Sequence, residues 1–241
     1  MTVLPQRYKG ESKREKVEQM FDSIATRYDL LNRVLSGGID KSWRKKAINQ
    51  LLPIKPTSIL DIATGTADLA LEAVRLKPAK ITGVDISAGM LEIGREKIKA
   101  KHLSELITLQ QADSEKLPFD DNSYDAITVA FGVRNFEHLE IGLGEMLRVL
   151  KPGGMVVILE FSQPTKFPVK QGYNFYSKYI LPGIGQLISK ERSAYEYLPE
   201  SVSAFPFGEK FRGILQNVGY TDTKCIPLTF GIASIYTGRK K

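Results

Sequence analysis

Five short apolar segments alternate with helical segments in the middle of the chain, and this alternation limits the fold more than any other feature. Each apolar segment is rich in valine, isoleucine and leucine, as expected for a strand buried on both faces of a parallel sheet. The pattern therefore predicts an α/β protein with a doubly wound sheet. The predicted strands are residues 58–63, 80–86, 106–112, 124–131 and 155–161, and the predicted intervening helices are residues 67–76, 88–101 and 137–150.

The two ends of the chain add helices and a hairpin to this pattern. Apolar residues at helical spacing predict a first helix over residues 11–28, and a second helix is predicted over residues 41–52. Near the other end, a helix is predicted over residues 207–218, and only three residues separate two strand-like segments, 220–228 and 232–238. These segments should form an antiparallel hairpin at the sheet edge. A mostly parallel, seven-stranded Rossmann-like sheet that ends in such a hairpin resembles the class I S-adenosylmethionine (SAM) methyltransferases.

Composition and charge exclude several classes of protein. The single cysteine, Cys225, excludes an internal disulfide framework and fits a reducing compartment. No uncharged apolar run reaches the ~18 residues of a membrane-spanning helix, and the N-terminus has no apolar core of signal-peptide length. We therefore expect a cytoplasmic protein. The net charge of +7 is compatible with solvated surface charge, an anionic membrane surface or nucleic acid.

The segment ILDIATGTADLA, residues 59–70, has the pattern of a buried strand, a tight turn and a helix that surrounds bound nucleotide cofactors. A dinucleotide loop needs three glycines, because its pyrophosphate must approach backbone N–H groups closely. Only Gly65 is present here. SAM has no phosphate and needs one glycine beside its amino-acid moiety, with hydroxyls such as those of Thr64 or Thr66 around it. The loop therefore favours SAM over NAD.

Acidic residues at the ends of the next two strands extend the predicted cofactor site. Asp85 lies twenty residues after Gly65, as expected for a carboxylate that accepts both ribose hydroxyls. Asp113 and Ser114 follow the third strand, where an acid and its neighbour usually hold the adenine amino group. Asp85 alone could equally cap the following helix. Together and in this order, these residues predict a SAM site, and we expect no metal. The predicted cofactor-binding residues are Thr64, Gly65, Asp85, Asp113 and Ser114.

Three longer motifs carry a more specific resemblance. They are YDLLNRVLSGGIDKSW at residues 28–43, FGVRN at residues 131–135 and RVLKPGGMVVILEFS at residues 148–162. In this order they resemble the signatures of the ubiquinone/menaquinone biosynthesis C-methyltransferase family, and the resemblance covers essentially the whole chain. The chain departs from the family pattern at Leu31 (usually Met), Asp40 (usually His), Ala67 (usually Gly) and Ala130 (often a Ser that contacts the cofactor).

The resemblance implies SAM-dependent methylation of a ring carbon of a polyprenylated quinol, with demethylmenaquinol as the preferred substrate in menaquinone biosynthesis. Loss of a phenolic proton makes the adjacent ring carbon nucleophilic, so a base or an oxyanion stabiliser is expected beside the ring. Arg134 is the candidate, because a guanidinium can stabilise a phenolate or orient a water that takes the proton. Asn135 would orient the ring. The alternative for Arg134 is an ion pair with a local carboxylate.

A lipophilic substrate would also account for two further segments of the chain. Residues 1–53 are interpreted as a helical lid, in which Tyr28 and Asn32 contact the substrate and Gly37-Gly38 make an unusual turn. Residues 162–205 are interpreted as a substrate-cover insertion within a single methyltransferase domain, residues 1–241. Within the insertion, residues 166–188 mix aromatic residues with lysines, which suits a prenyl-tail channel, a membrane-surface contact or a cover packed on the sheet.

Other functions stay open on the sequence alone. A benzoquinol, another small phenol or a lipid could replace the naphthoquinol, and a catalytically silent SAM-fold subunit could act as a scaffold. An RNA methyltransferase is suggested only by the net charge. Residues 130–136, AFGVRNF, lack the [DN]-P-P-[YF] motif that is common in nucleobase N-methyltransferases, so we expect no nucleic-acid partner. A homo-oligomer and a peripheral membrane contact are both compatible with the sequence.

Overall fold

A twisted sheet lies at the centre of the computed structural model, which describes residues 3–5, 8, 10–176 and 192–241. Among these residues, seven strands form one sheet in the order β3-β2-β1-β4-β5-β7-β6. β7 runs antiparallel to both of its neighbours, β5 and β6, and the pairs from β3 to β5 are parallel. The strands are β1 (Ser58–Ile62), β2 (Lys80–Asp85), β3 (Ile107–Gln111), β4 (Tyr124–Ala130), β5 (Leu150–Phe161), β6 (Thr221–Leu228) and β7 (Ala233–Arg239).

Helices cover both faces of the sheet. One core cluster packs α5 and α8 on one face, and a second cluster packs α2 and α3 on the other. A third cluster joins α1 to α4 and to Tyr197. The described α-helices are α1 (Lys13–Ser36), α2 (Asp40–Asn49), α3 (Asp68–Ala73), α4 (Ala88–Ala100), α5 (Leu139–Val149), α6 (Val169–Phe175), α7 (Arg192–Ala204) and α8 (Glu209–Val218), and short 3₁₀ turns are at Val74–Leu76, Val133–Asn135 and Thr229–Gly231.

The structure confirms the predicted fold class, including the antiparallel C-terminal strands. The main difference lies in α1, which was expected to end near Tyr28 and instead continues to Ser36. It ends where Gly37 and Gly38 take left-handed backbone angles (φ +60° and +78°), because such residues stop a helix. The motif at residues 28–43 is therefore mostly helical, and its glycines make the turn into α2.

Two observations bear on the remaining segment predictions. Residues 177–188 of the segment interpreted as a tail channel lie outside the described residues, whereas its first part forms α6. In the described part of the chain, no helix is both long enough and apolar enough to span a membrane.

Candidate active site

The loop after β1 has the backbone of a glycine-rich cofactor loop although it contains one glycine. Ala63, Gly65 and Ala67 all have left-handed φ angles, of +50°, +54° and +65° respectively. This conformation costs a non-glycine residue about 1–2 kcal/mol, so the surrounding structure must hold the two alanines in place. A Cβ atom on Gly65 would lie 4.0 Å from the Tyr28 ring. The loop therefore leaves an open space beneath α1.

Asp85 closes this loop from the end of β2. Its Oδ2 accepts a hydrogen bond from the Gly65 N–H at 2.8 Å, and its Oδ1 accepts one from the Ser87 N–H at 2.9 Å. Burial raises the pKa of Asp85 to about 6, and these backbone hydrogen bonds oppose the shift. The N-cap of α4 is Ser87, whose hydroxyl accepts from the Met90 N–H. Asp85 is thus not the cap residue of α4, and each of its carboxylate oxygens accepts one backbone hydrogen bond.

A cleft of about 700 Å³, here called the cofactor cleft, opens at the carboxyl ends of β1 to β4. It lies where the strand order reverses about β1, the usual ligand position in an open α/β sheet. α1 forms its roof through Arg14, Val17, Phe21 and Tyr28. The structure brings together six of the predicted site residues in its lining, which are Tyr28, Gly65, Asp85, Asp113, Ser114 and Asn135.

A smaller polar recess of about 320 Å³ continues from the cofactor cleft past Gly65. Thr64 lies here rather than in the larger cleft, and its hydroxyl donates to Asp61 at 2.5 Å. Asp61 is fully buried, and burial raises its pKa to about 6, although the hydroxyls of Thr128 and Thr64 lower it. Arg44 lies in the same recess and forms ion pairs with Asp40 and Asp68. The sequence analysis missed both Asp61 and Arg44.

Asp113 has a charged partner on the roof of the cofactor cleft. An oxygen of Asp113 lies 2.9 Å from the guanidinium of Arg14, which is about half exposed. The other oxygen accepts from the Glu115 N–H at 2.9 Å. Arg14 stands in a basic N-terminal stretch where spacing gives no indication of its partner, so sequence reasoning could not assign it.

Arg134 pairs with a buried carboxylate, which is the alternative that the sequence left open. One of its terminal nitrogens lies 2.9 Å from Oε1 of Glu160, a residue with no exposed surface. The guanidinium also stands 5.4 Å from the centroid of the Phe161 ring. Arg134 does not line the cofactor cleft. Within the described residues its buried Nε has no hydrogen-bond partner, so one donor of this cation is unused.

The turn that carries Arg134 and Asn135 is held by two helices. The Lys13 ammonium of α1 donates to the carbonyls of Arg134 and Phe136 at 3.0 and 2.8 Å. Burial, together with the charge of Arg134, lowers the pKa of Lys13 to about 8. From α7, the Tyr197 hydroxyl donates to Oδ1 of Asn135 at 3.1 Å. Both helices must therefore be docked for this turn to keep its position.

A second cleft, of about 690 Å³ and here called the apolar cleft, lies on the other side of Phe131. The Phe131 ring stacks on the Phe161 ring with centroids 4.5 Å apart, and Phe131 lines both clefts. Asn32 lines the apolar cleft, and it hydrogen-bonds the Tyr28 hydroxyl, which belongs to the cofactor cleft. The other lining residues are Ser36, Asp40, Trp43, Tyr173, Tyr176, Leu198, Pro199, Val202 and Ile232.

The sheet order and the cofactor cleft define the class I SAM-dependent methyltransferase fold. The solved structure of a SAM-dependent methyltransferase from Thermotoga maritima superposes with a TM-score of 0.64 at 18% identity, over 93% of this chain and 99% of that one. Residues 9–240 match the ubiE/COQ5 methyltransferase family, and the chain belongs to that family.

Curated relatives agree with the family assignment. The chain is 52% identical to "Demethylmenaquinone methyltransferase" of Bacteroides fragilis, over 97% of this chain and 96% of the relative. It is 49% identical to "Ubiquinone/menaquinone biosynthesis C-methyltransferase UbiE" of Geotalea daltonii, over 97% of this chain and all of the relative. The predicted family, the methyltransferase activity and the SAM cofactor are confirmed. The roles of individual residues stay predictions.

Proposed function

We propose that this chain transfers the methyl group of SAM to a ring carbon of demethylmenaquinol and so makes menaquinol. The observation that carries the proposal is the meeting of two clefts of similar volume, about 700 and 690 Å³, at the Phe131 ring. One cleft is lined by carboxylates at strand ends and the other mainly by aromatic and aliphatic side chains. The names of the relatives at 46–52% identity supply the substrate.

The residues of the cofactor cleft and the polar recess fit SAM, which when bound supplies a methyl group on a positively charged sulfur. Asp85 would accept the ribose hydroxyls, and Asp113 with Ser114 would hold the adenine amino group. The amino-acid moiety would enter the polar recess beside Gly65. There Arg44 would pair with its carboxylate and Asp61 with its ammonium group, because each is a buried charge of opposite sign. The opening left by the missing Cβ of Gly65 supports this path.

The apolar cleft would hold the prenylated quinol with its ring against Phe131. Arg134 lines neither cleft and instead borders a separate cavity with Lys13 and Tyr197. Its guanidinium lies over the ring of Phe161, which lines the apolar cleft, and this ring contact is the basis for the role proposed here. As the phenolic proton passes to a water molecule beside the ring, negative charge would develop on the ring oxygen, and the buried cation of Arg134 would stabilise it. Such a charge acts strongly where water is excluded. Glu160 fixes the guanidinium, and Asn135, held by Tyr197, would orient the ring.

The helices around the two clefts would exclude water during the transfer. α1 covers the cofactor cleft, and α6 and α7 contribute Tyr173 and Leu198 to the wall of the apolar cleft. Methyl transfer is a displacement reaction, so alignment and exclusion of water are the main tasks of the protein. A cytoplasmic location, a peripheral membrane contact and a homo-oligomer stay predictions for this chain.

An assay with isotopically labelled SAM tests the proposal. The chain should label demethylmenaquinol and should label the corresponding benzoquinol more slowly. Equal labelling of both quinols would leave the family assignment intact and remove the preference for the naphthoquinol. If neither quinol is labelled, the proposed substrate is wrong. RNA binding that weakens steeply with salt, in the absence of quinol methylation, would favour an RNA substrate instead.

A further inference from the structure

Three phenylalanine side chains project into solvent, although each could be buried with a gain in stability. Phe167 is 81% exposed, Phe230 is 82% exposed and Phe175 is 58% exposed. Single exposed apolar residues are common and need no explanation, but an exposed apolar cluster marks a surface that contacts a partner or a membrane. The position of the three residues in the fold therefore matters.

The segments that carry these phenylalanines meet at the apolar cleft. The Ser162 N–H and hydroxyl bond the carbonyls of Ile232 and Gly231, at 2.9 and 2.7 Å, which joins the start of the 162–176 segment to the 229–231 turn. Ile232 lines the apolar cleft, and so do Tyr173 of α6 and Tyr176, the residue that follows this helix. Phe175 lies on the opposite side of α6 from Tyr173, since successive helical residues are rotated by about 100°. Phe167 and Phe175 thus belong to the segment that supplies part of the wall of the apolar cleft, and Phe230 belongs to the turn that precedes Ile232.

The backbone at Phe230 shows that its exposure is built into the turn. Phe230 and Thr229 have left-handed φ angles of +58° and +46°, a conformation that bulky and β-branched side chains rarely adopt. The hydroxyl of Thr229 accepts a hydrogen bond from the Trp43 indole at 2.8 Å, which ties the turn to α2. Strain of this kind is concentrated at functional positions. The turn holds an aromatic ring outward beside the cleft.

The described segments that carry these rings contain basic but no acidic side chains. Residues 161–176 contain two lysines and neither aspartate nor glutamate, and residues 223–241 also lack acidic side chains. Lys166 and Lys170 flank Phe167 in the sequence, and both are exposed. Exposed aromatic rings beside lysines, without carboxylates, complement an anionic lipid surface, because the rings enter the interface and the ammonium groups meet the lipid phosphates.

We propose that Phe167, Phe175 and Phe230, together with Lys166 and Lys170, form a docking surface for an anionic lipid bilayer. Docking through this surface brings the apolar cleft to the membrane, where a prenylated quinol is dissolved. The purpose of the docking rests on the proposed function, whereas the binding itself does not.

Sedimentation with lipid vesicles tests the docking surface. The full chain should bind vesicles that contain phosphatidylglycerol and should bind pure phosphatidylcholine at least about tenfold more weakly. The double variant Phe167→Ser/Phe230→Ser should lose about tenfold or more in affinity for the anionic vesicles, and so should Lys166→Glu/Lys170→Glu. Ile141→Ser is the matched control, because Ile141 is an exposed apolar residue (52%) on α5, and it should bind like the unchanged chain.

Methyl transfer measured in two formats separates this proposal from the proposed function. The phenylalanine double variant should keep its activity on a naphthoquinol without the prenyl tail and lose activity on the tailed quinol presented in vesicles. Equal vesicle binding by the double variant and the unchanged chain would overturn the docking surface. If the double variant changes its oligomeric state while vesicle binding stays unchanged, the rings contact a second copy of the chain, and the lipid docking surface is also overturned. Absence of methyl transfer in both formats, with normal vesicle binding, would contradict only the proposed function.

Discussion

The cofactor cleft and the apolar cleft have similar volumes and share Phe131, yet they are built in different ways. The chemical groups of the cofactor cleft come from the ends of neighbouring parallel strands, so each follows its strand by a few residues. The apolar cleft is assembled from α1, α2, α6, α7 and the ends of β4 and β5, which are far apart in the sequence. A short motif can therefore describe the first cleft, and only the tertiary structure can describe the second.

The two clefts also differ in how charge is held. In the cofactor cleft and its polar recess, burial raises the pKa values of Asp85 and Asp61 to about 6. In the apolar cleft, burial also acts to raise the pKa of Asp40. The Ser36 hydroxyl and Arg44 together lower this pKa by more than burial raises it, so the pKa of Asp40 lies below its usual value. Asp85 and Asp61 have only uncharged donors as hydrogen-bond partners among the described residues, whereas Asp40 is paired with the cation of Arg44.

The largest expected effect concerns Asp85 in the cofactor cleft. Asp85→Ala should weaken SAM binding by at least about 100-fold, because the two hydrogen bonds that we propose from the ribose to this buried carboxylate would be lost. Asp85→Asn keeps the shape and should weaken binding less. Calorimetric titration with SAM measures both. Near-normal affinity in Asp85→Ala would show that the ribose is held elsewhere.

The next largest effect is expected at Arg134, whose guanidinium lies over the Phe161 ring of the apolar cleft. Arg134→Gln should lower kcat by about 100-fold and leave the Kd for SAM nearly unchanged, as expected when a charge that stabilises an oxyanion is removed. It also leaves Glu160 buried without its cation, which costs about 3–5 kcal/mol of unfolding free energy.

A double variant separates the catalytic role of Arg134 from its structural role. Arg134→Gln/Glu160→Gln should recover much of the stability in a denaturant titration, because no unpaired charge is left in the core. It should not recover kcat. If turnover returns together with stability, Arg134 acts only as the partner of Glu160.

The contrast between the clefts explains how much of the site the sequence could predict. The strand ends and the alternation of strands and helices predicted the fold and the positions of Gly65, Asp85 and Asp113, because these depend on local pattern. The pairs Lys13 with the Arg134 carbonyl and Tyr197 with Asn135 join residues far apart in the chain, and no local pattern indicates them.

Two residues that the sequence analysis missed did leave a local signal. Asp61 and Glu160 each interrupt an apolar strand that is buried on both faces. A carboxyl group in such a position needs a hydrogen-bonding or charged partner. For Glu160 that partner is Arg134. The presence of a glutamate within the apolar strand β5 therefore favoured an Arg134–Glu160 ion pair over an unpaired guanidinium in the cofactor cleft.

A change in the wall of the apolar cleft should affect only the quinol. Leu198 is half-buried on α7 and lines this cleft, so Leu198→Trp should fill part of its volume. We expect KM for the tailed quinol to rise about tenfold, equivalent to about 1.4 kcal/mol, with the Kd for SAM unchanged. Steady-state kinetics with both substrates measure this. Equal losses for SAM and quinol would mean that the two clefts are not independent sites.

The smallest expected effect is a pH dependence that only one cleft should show. Because the pKa of Asp85 in the free protein is raised to about 6, the carboxylate that we propose accepts the ribose hydroxyls becomes protonated as the pH falls through that value. SAM affinity should therefore fall several-fold between pH 7 and about pH 5, up to about tenfold for a single proton.

The pH dependence has the opposite sign for the stability of the free protein. A carboxyl whose pKa is raised on folding binds its proton more tightly in the folded state, so its contribution to the unfolding free energy decreases as the pH rises through the same range. Asp40 has a lowered pKa, so KM for the quinol should stay flat in this window. Asp61 has a similarly raised pKa and is proposed to pair with the ammonium group of SAM, so titrations of Asp85→Asn and Asp61→Asn should each remove the part of the pH step that belongs to the replaced carboxyl group. A step of unchanged size in Asp85→Asn would show that Asp85 does not cause it.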